Sequence, residues 1–146
     1  MRQRTGLDAC NCFAARQAAR HITRLYERHL ADIALTSAQF SILFVLDEKP
    51  RASMAQLSDA LVMDRTTLLR AVKPLERDGL IACKRGAGEG DPRQMTFVLA
   101  AAGRDKLKRA MVRWAAAQRE FEAQVGAARA ARMRNDLLSL EAGVSD

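Results

Sequence analysis

Between Ser53 and Gly79 the chain places two helix starts and one helix stop so close together that only a short helix, a tight turn and a second helix fit between them. Ser53 with Gln56 forms a capping-box pair, in which the hydroxyl accepts from a free amide and the glutamine reaches back to the serine N–H. The helix it opens runs through about Ala60, and Leu61 to Met63 form the turn. Asp64 then caps a second helix whose inward side is Leu68, Ala71, Val72 and Leu75, and Gly79 offers a left-handed terminator. Pro74 falls inside this helix, removes one backbone hydrogen bond at a cost of about 3 kcal/mol, and is expected to bend it between Arg70 and Pro74.

The flanks fit around that unit. Thr36 with Gln39 repeats the capping box and opens a helix with Phe40, Leu43, Phe44 and Leu46 on its buried side, ended by Pro50. Leu80 to Arg85 and Gln94 to Leu99 read as two strands, joined by the glycine-rich stretch GAGEGDPR into a hairpin with a long tip. Residues 8–31 read as a helix with Phe13, Ala14, Ala18, Ile22, Leu25 and Leu30 on one stripe. Arg16, Arg20, Arg24 and Arg28 lie on another, as a solvated face would. Leu107, Met111, Trp114, Phe121 and Val125 trace a long amphipathic helix, and Met133, Leu137 and Leu140 a last one after Gly126. At 146 residues the expectation is one domain over 1–146, mainly α with a small β-hairpin wing (α+β). Residues 36–99 follow the order of a winged helix-turn-helix.

Composition narrows the partners. The net charge is +7 and the isoelectric point near 10.0, a balance that favours an acidic partner such as nucleic acid. The excess is concentrated toward the ends, +4 over residues 1–31 and +6 over 104–134 against +2 over 64–93, so a nucleic-acid role rests on particular side chains. A reading helix that enters the major groove end-on would offer Arg65, Thr66, Thr67 and Arg70 to base edges and nearby phosphates. Lys73, Lys84 and Arg85 are candidates for phosphate positioning, and Ser53 and Gln56 for phosphate binding at a helix start, although capping alone accounts for them.

The segment MDRTTLLRAVKPLERDGLI, the wing segment DPRQMTFVLAAAGR and the flanking helices resemble the MarR family of bacterial regulators over almost the whole chain. The Asp91, Pro92, Arg93 triplet matches the family's wing pattern of aspartate, any residue, arginine. The resemblance implies that Arg93 reaches into the minor groove of double-stranded DNA while Asp91 holds the wing in shape. It also implies a homodimer made by residues 8–31 and 104–141, set on a pseudo-palindromic operator with half-sites about one turn, roughly 34 to 36 Å, apart. Family members commonly release DNA when an aromatic acid or phenol enters a cleft, so Arg16, Ile22, Tyr26, Phe40 and Phe44 are candidate ligand residues. An apolar stripe at helical spacing is more often plain core than a ligand wall.

Cys12, in CNCF one turn before Arg16, resembles the reactive cysteine of the family's peroxide-sensing branch, and Tyr26 falls where that branch keeps a tyrosine. Where the branch keeps a second tyrosine, this chain has Arg16, a residue able to stabilise a thiolate. The plainer reading makes Cys10 and Cys12 small buried packing residues, and Cys83 structural. Three cysteines, an odd number, suit a reducing cytoplasm better than a disulfide framework. His21 and His29 lack companions for a metal site, no cofactor motif is present, and no nucleophile and base, carboxylate pair or phosphate loop stands at catalytic spacing. The expectation is therefore a regulator without enzymatic activity, with a winged-helix protein-interaction module as the rival class. No apolar stretch is long enough to span a bilayer.

Overall fold

The computed structural model describes residues 6–86 and 91–140. Six helices and three strands follow the order α1 (Asn11–Leu30), α2 (Ser37–Glu48), β1 (Ala52–Ser53), α3 (Met54–Leu61), α4 (Arg65–Arg77), β2 (Ile81–Arg85), β3 (Met95–Leu99), α5 (Ala101–Val125) and α6 (Ala127–Ser139). Residues 87–90 of the expected wing tip and residue 141 lie outside the described residues. The chain divides into two compact units, Leu30–Arg113 and the described parts of Met1–His29 with Trp114–Asp146.

The Leu30–Arg113 unit holds one contiguous apolar core. Ile42, Leu43 and Leu46 of α2, Leu57 of α3 and Leu68, Val72 and Leu75 of α4 are all at most 1% exposed and pack with Ile81, Phe97 and Leu99 of the sheet. Burying each such side chain is worth about 1.5–3 kcal/mol before chain entropy is counted. Phe44 departs from expectation: it shares a stripe with Leu43 by periodicity, yet it is 37% exposed and rests against Phe40 with ring centroids 6.2 Å apart. Ile42, not Phe44, takes the inward position.

The hairpin is not alone in its sheet. β3 lies between β2 and the two-residue β1, antiparallel to both, with Ile81 opposite Leu99 and Ser53 opposite Thr96. Thr96 is buried, and its hydroxyl donates to the Lys84 carbonyl at 3.2 Å. α5 starts directly after β3, and Gly103 in its first turn abuts the Leu80 carbonyl so closely that a Cβ there would lie 2.0 Å from the oxygen.

In the second unit α1 begins later than residue 8. Gly6–Ala9 form a 3-10 turn, after which Cys10 acts as the cap, its sulfur accepting from the Phe13 amide at 3.4 Å. Among the described residues of this unit, Leu25, Ala117 and Ala130 are buried. α1 and α5 are clasped by Glu120, which accepts from Arg28 at 2.8 Å and pairs with His29 at 2.6 Å. These bonds, that to His29 foremost, hold the Glu120 carboxyl below its ordinary range. Much of the apolar stripe stays open within this chain: Ala14 and Ala18 are exposed, Phe13 and Ile22 half-buried, and Leu137 and Leu140 are 51% and 58% exposed.

Candidate nucleic-acid interface

Local hydrogen bonds set each end of the two central helices. Ser53 Oγ accepts from the Gln56 amide at 3.1 Å and Gln56 Oε1 from the Ser53 amide at 2.9 Å, so the expected capping box is complete. The same box closes between Thr36 and Gln39. α3 ends at Val62, which adopts the left-handed conformation (φ 50°, ψ 48°) with its side chain 74% exposed. A β-branched residue is strained there, and only the turn into α4 requires it.

Asp64 starts α4, accepting the Thr67 amide at 2.8 Å and the Thr67 hydroxyl at 2.7 Å. The hydroxyl bond, followed by the amide bond, holds its carboxyl below the usual range. At the other end Leu80 N–H donates to Leu75 O at 2.9 Å and Gly79 N–H to Glu76 O at 3.0 Å, with Gly79 at φ +71°. This pair is the Schellman closure that a left-handed glycine permits. The helix continues through Pro74 to Arg77.

Because Leu68, Val72 and Leu75 face the core, the opposite face of α4 is turned outward. Arg65, Thr66, Thr67, Arg70 and Lys73 are all exposed. Among the described residues none of these cations forms an ion pair, so their charge is uncompensated by the fold. On the wing, Lys84 and Arg85 are exposed on β2. Asp91 Oδ1 accepts from the Arg93 amide at 2.8 Å and the Asp91 carbonyl from the Gln94 amide at 2.9 Å, while Gly86 N–H donates to Gln94 O. Asp91 thus folds the turn that carries the exposed side chain of Arg93. Ser53 is placed differently from the others: at 4% exposure it sits inside, while Gln56 beside it is exposed.

The five candidate ligand residues do not line one cavity. Ile22 and Tyr26 border a cavity of about 240 Å³ with Phe121, Glu122, Met133 and Arg134 of α5 and α6. Burial pushes the Tyr26 hydroxyl pKa up, the Glu122 charge adds to this, and Arg134 opposes it. Glu122 and Arg134 escaped the sequence reading because no spacing within one helix connects them to Tyr26. Phe44 borders a separate concavity of the Leu30–Arg113 unit with Asp47, Arg104, Leu107, Lys108 and Met111, and Phe40 packs beside it. Arg16 lines a third concavity with Cys10, Cys12, Phe13 and Arg20. Both cysteines are exposed, not buried as packing residues would be. Burial and the nearby Glu76 charge push up the Cys83 thiol, which suits its place on β2. Among the described residues no three His, Cys, Asp or Glu side chains converge as a metal site would need, and no single helix is long and apolar enough to cross a membrane.

Comparison with known proteins agrees with this geometry. Residues 35–82 match a family model described as winged helix-turn-helix DNA-binding. The transcriptional regulator MosR of M. tuberculosis is 32% identical, with 94% of this chain and 97% of that one aligned at a TM-score of 0.80. Its structure in complex with DNA gives 35% identity over 93% and 99% of the two chains at a TM-score of 0.76. A MarR-family regulator from Rhodococcus sp. RHA1, 17% identical over 94% and 97% of the chains, shares the fold at a TM-score of 0.78. The organic hydroperoxide resistance transcriptional regulator of Bacillus subtilis (strain 168) is 30% identical over 88 residues, 60% of this chain, and the match spans 58% of that relative's length. These relatives are regulators of transcription and not enzymes. The caps, the outward cations of α4, the aspartate-braced wing and the near full-length likeness to MosR converge on one assignment: the chain belongs to the MarR family of winged helix-turn-helix transcriptional regulators.

Proposed function

We propose that the chain is a homodimeric, cytoplasmic regulator that binds a pseudo-palindromic operator sequence-specifically and represses until a ligand releases it. The observation that carries this reading is the set of α4 cations, Arg65 at the start of the helix and Arg70 and Lys73 on its outward face, which stand exposed and unpaired among the described residues. In this reading Arg65, Thr66, Thr67 and Arg70 meet base edges in the major groove, where arginine and hydroxyl groups discriminate bases. Lys73, Lys84, Arg85 and Gln56 position the phosphates, with Ser53 acting as the cap that fixes the start of α3. Arg93 enters the minor groove, whose negative potential attracts a guanidinium, and Asp91 braces it there.

The open apolar stripes of α1 and α6 support a dimer in which Phe13, Ala18, Ile22, Leu137 and Leu140 meet a second copy. The cavity beside Tyr26 supports an aromatic or phenolic effector, because it joins an apolar wall to the polar Tyr26, Glu122 and Arg134. The test is operator binding by Arg65→Ala and Arg70→Ala. Each is expected to lose about 1–3 kcal/mol, with affinity falling steeply as salt rises. Unchanged affinity in both variants refutes the assignment of α4.

A second reading is favoured by the exposure of Cys10 and Cys12 beside Arg16 and Arg20, together with the name of the Bacillus relative. Here the Cys12 thiolate attacks the O–O bond of an organic hydroperoxide, becoming a sulfenic acid as an alcohol leaves, and DNA affinity drops. Peroxide is then expected to lower operator affinity in the native protein and not in Cys12→Ser. Equal responses dismiss Cys12 as the sensor.

A further inference from the structure

The hydroxyl of Thr67 is not free to turn. Its proton is committed to Asp64 Oδ2 at 2.7 Å, while the Thr67 amide is bound to Oδ1 at 2.8 Å, so one residue occupies both oxygens of the carboxylate. An ionised carboxylate only accepts, which fixes the direction of the bond. Those same bonds keep Asp64 ionised by holding its carboxyl low. Thr67 stands exposed in the first turn of α4, between Arg65 and Arg70. On its outward side only lone pairs remain, an acceptor with a negative charge behind it.

Resting on the reading of α4 as the helix that enters the major groove, we propose that Thr67 is a specificity-determining residue that selects a base presenting an amino group, adenine or cytosine, on the strand it faces. Adenine N6 and cytosine N4 offer N–H donors in that groove, whereas guanine O6 and thymine O4 offer lone pairs. A keto base would set acceptor against acceptor. It is accommodated only if the hydroxyl leaves Asp64, which sacrifices a charge-assisted bond. The expected discrimination is about ten- to a hundredfold at one position of each half-site. Arg65 and Arg70 are donors only and select the opposite class, so the tip of α4 carries both polarities.

Two variants separate base selection from simple capping. Thr67→Val keeps the shape and the amide bond to Asp64 but removes the hydroxyl. Asp64→Asn keeps a good cap, since asparagine and aspartate are equivalent there, but its amide now donates to Thr67 Oγ1 and frees the hydroxyl proton to point outward. The experiment selects bound duplexes from a random library with the native chain and both variants, then titrates the chosen sites at fixed salt. Circular dichroism checks that helicity is retained, and the asparagine variant carries the test should valine disturb the cap.

The expected result is one position per half-site that is adenine or cytosine for the native protein, level for Thr67→Val, and shifted toward guanine or thymine for Asp64→Asn. Sequence-specific binding with identical base preferences in all three proteins overturns the proposal alone. So does a Thr67-dependent position that prefers guanine or thymine in the native protein, or a loss of affinity uniform across sequences. Absence of any sequence-specific binding by the native chain overturns it together with the reading of α4.

Discussion

Gly103→Ala tests how the Leu30–Arg113 unit is closed, because two simple rules give it opposite signs. Gly103 is helical, and by propensity alone alanine would stabilise α5 by up to about 1 kcal/mol. The structure puts the new Cβ 2.0 Å from the Leu80 oxygen and 2.8 Å from Leu99 Cδ1. The leucine methyl has room to rotate, but the carbonyl does not yield. Leu80 is anchored through its amide to Leu75 at 2.9 Å, and its oxygen accepts from Ala100 at 3.0 Å. α5 must therefore withdraw, with overpacking at about 1–3 kcal/mol and loss of a buried hydrogen bond at about 1 kcal/mol. Set against the propensity gain, the net destabilisation is about 1–3 kcal/mol. For a chain of this size that lowers Tm by roughly 3–12 °C. Gly79→Ala is the matched control, since nothing lies within 4 Å of its Cβ and only the left-handed backbone opposes it, at about 1–2 kcal/mol. Thermal melts and urea titrations of both variants give the answer. A midpoint for Gly103→Ala at or above that of the native protein refutes the steric account.

Two further expectations follow from other parts of the fold. Val62→Gly relieves a left-handed β-branched residue that buries little, so stability should rise by about 0.5–1 kcal/mol after the extra chain entropy of glycine, and a lower Tm refutes the strain. Glu120 has a folded pKa below its unfolded value, so its stabilising effect is present above the ordinary carboxylate pKa and is lost as pH falls toward the lower folded value. Glu120→Gln should flatten the acid limb of a urea-midpoint profile across that interval, and an unaltered profile refutes the clasp.

What was legible in the sequence was whatever acts over three or four residues. Thr36 with Gln39, Ser53 with Gln56, Asp64 and Gly79 each set a helix end by a bond to a near neighbour, and all four operate where spacing placed them. The outward placing of Arg70 and Lys73 follows from the period of Leu68, Val72 and Leu75, whereas Arg65 shares that period and is exposed because it opens the helix. β1 was not legible, because two residues carry no alternation and their partners lie more than forty positions away. Nor was the exposure of Phe44, since periodicity assigns a side without saying whether anything covers it. The late start of α1 at Asn11 depends on a sulfur serving as cap, a weak acceptor that helix-start rules omit. Four of the five proposed ligand residues border three different concavities, and the one beside Tyr26 is completed by side chains from α5 and α6 that no spacing within α1 discloses.

β3 is hydrogen-bonded along both edges, to β2 on one side and on the other to Ala52–Ser53, whose serine also begins α3. The hairpin is consequently bolted at its root to the helix pair instead of swinging from it. Such a body behaves as a caliper with fixed jaws. If α4 and the wing enter neighbouring grooves as proposed, a duplex held by both has to supply the matching distance between those grooves, by twisting or narrowing where its stacking allows, and stiff stretches are then disfavoured at base pairs that no side chain reaches.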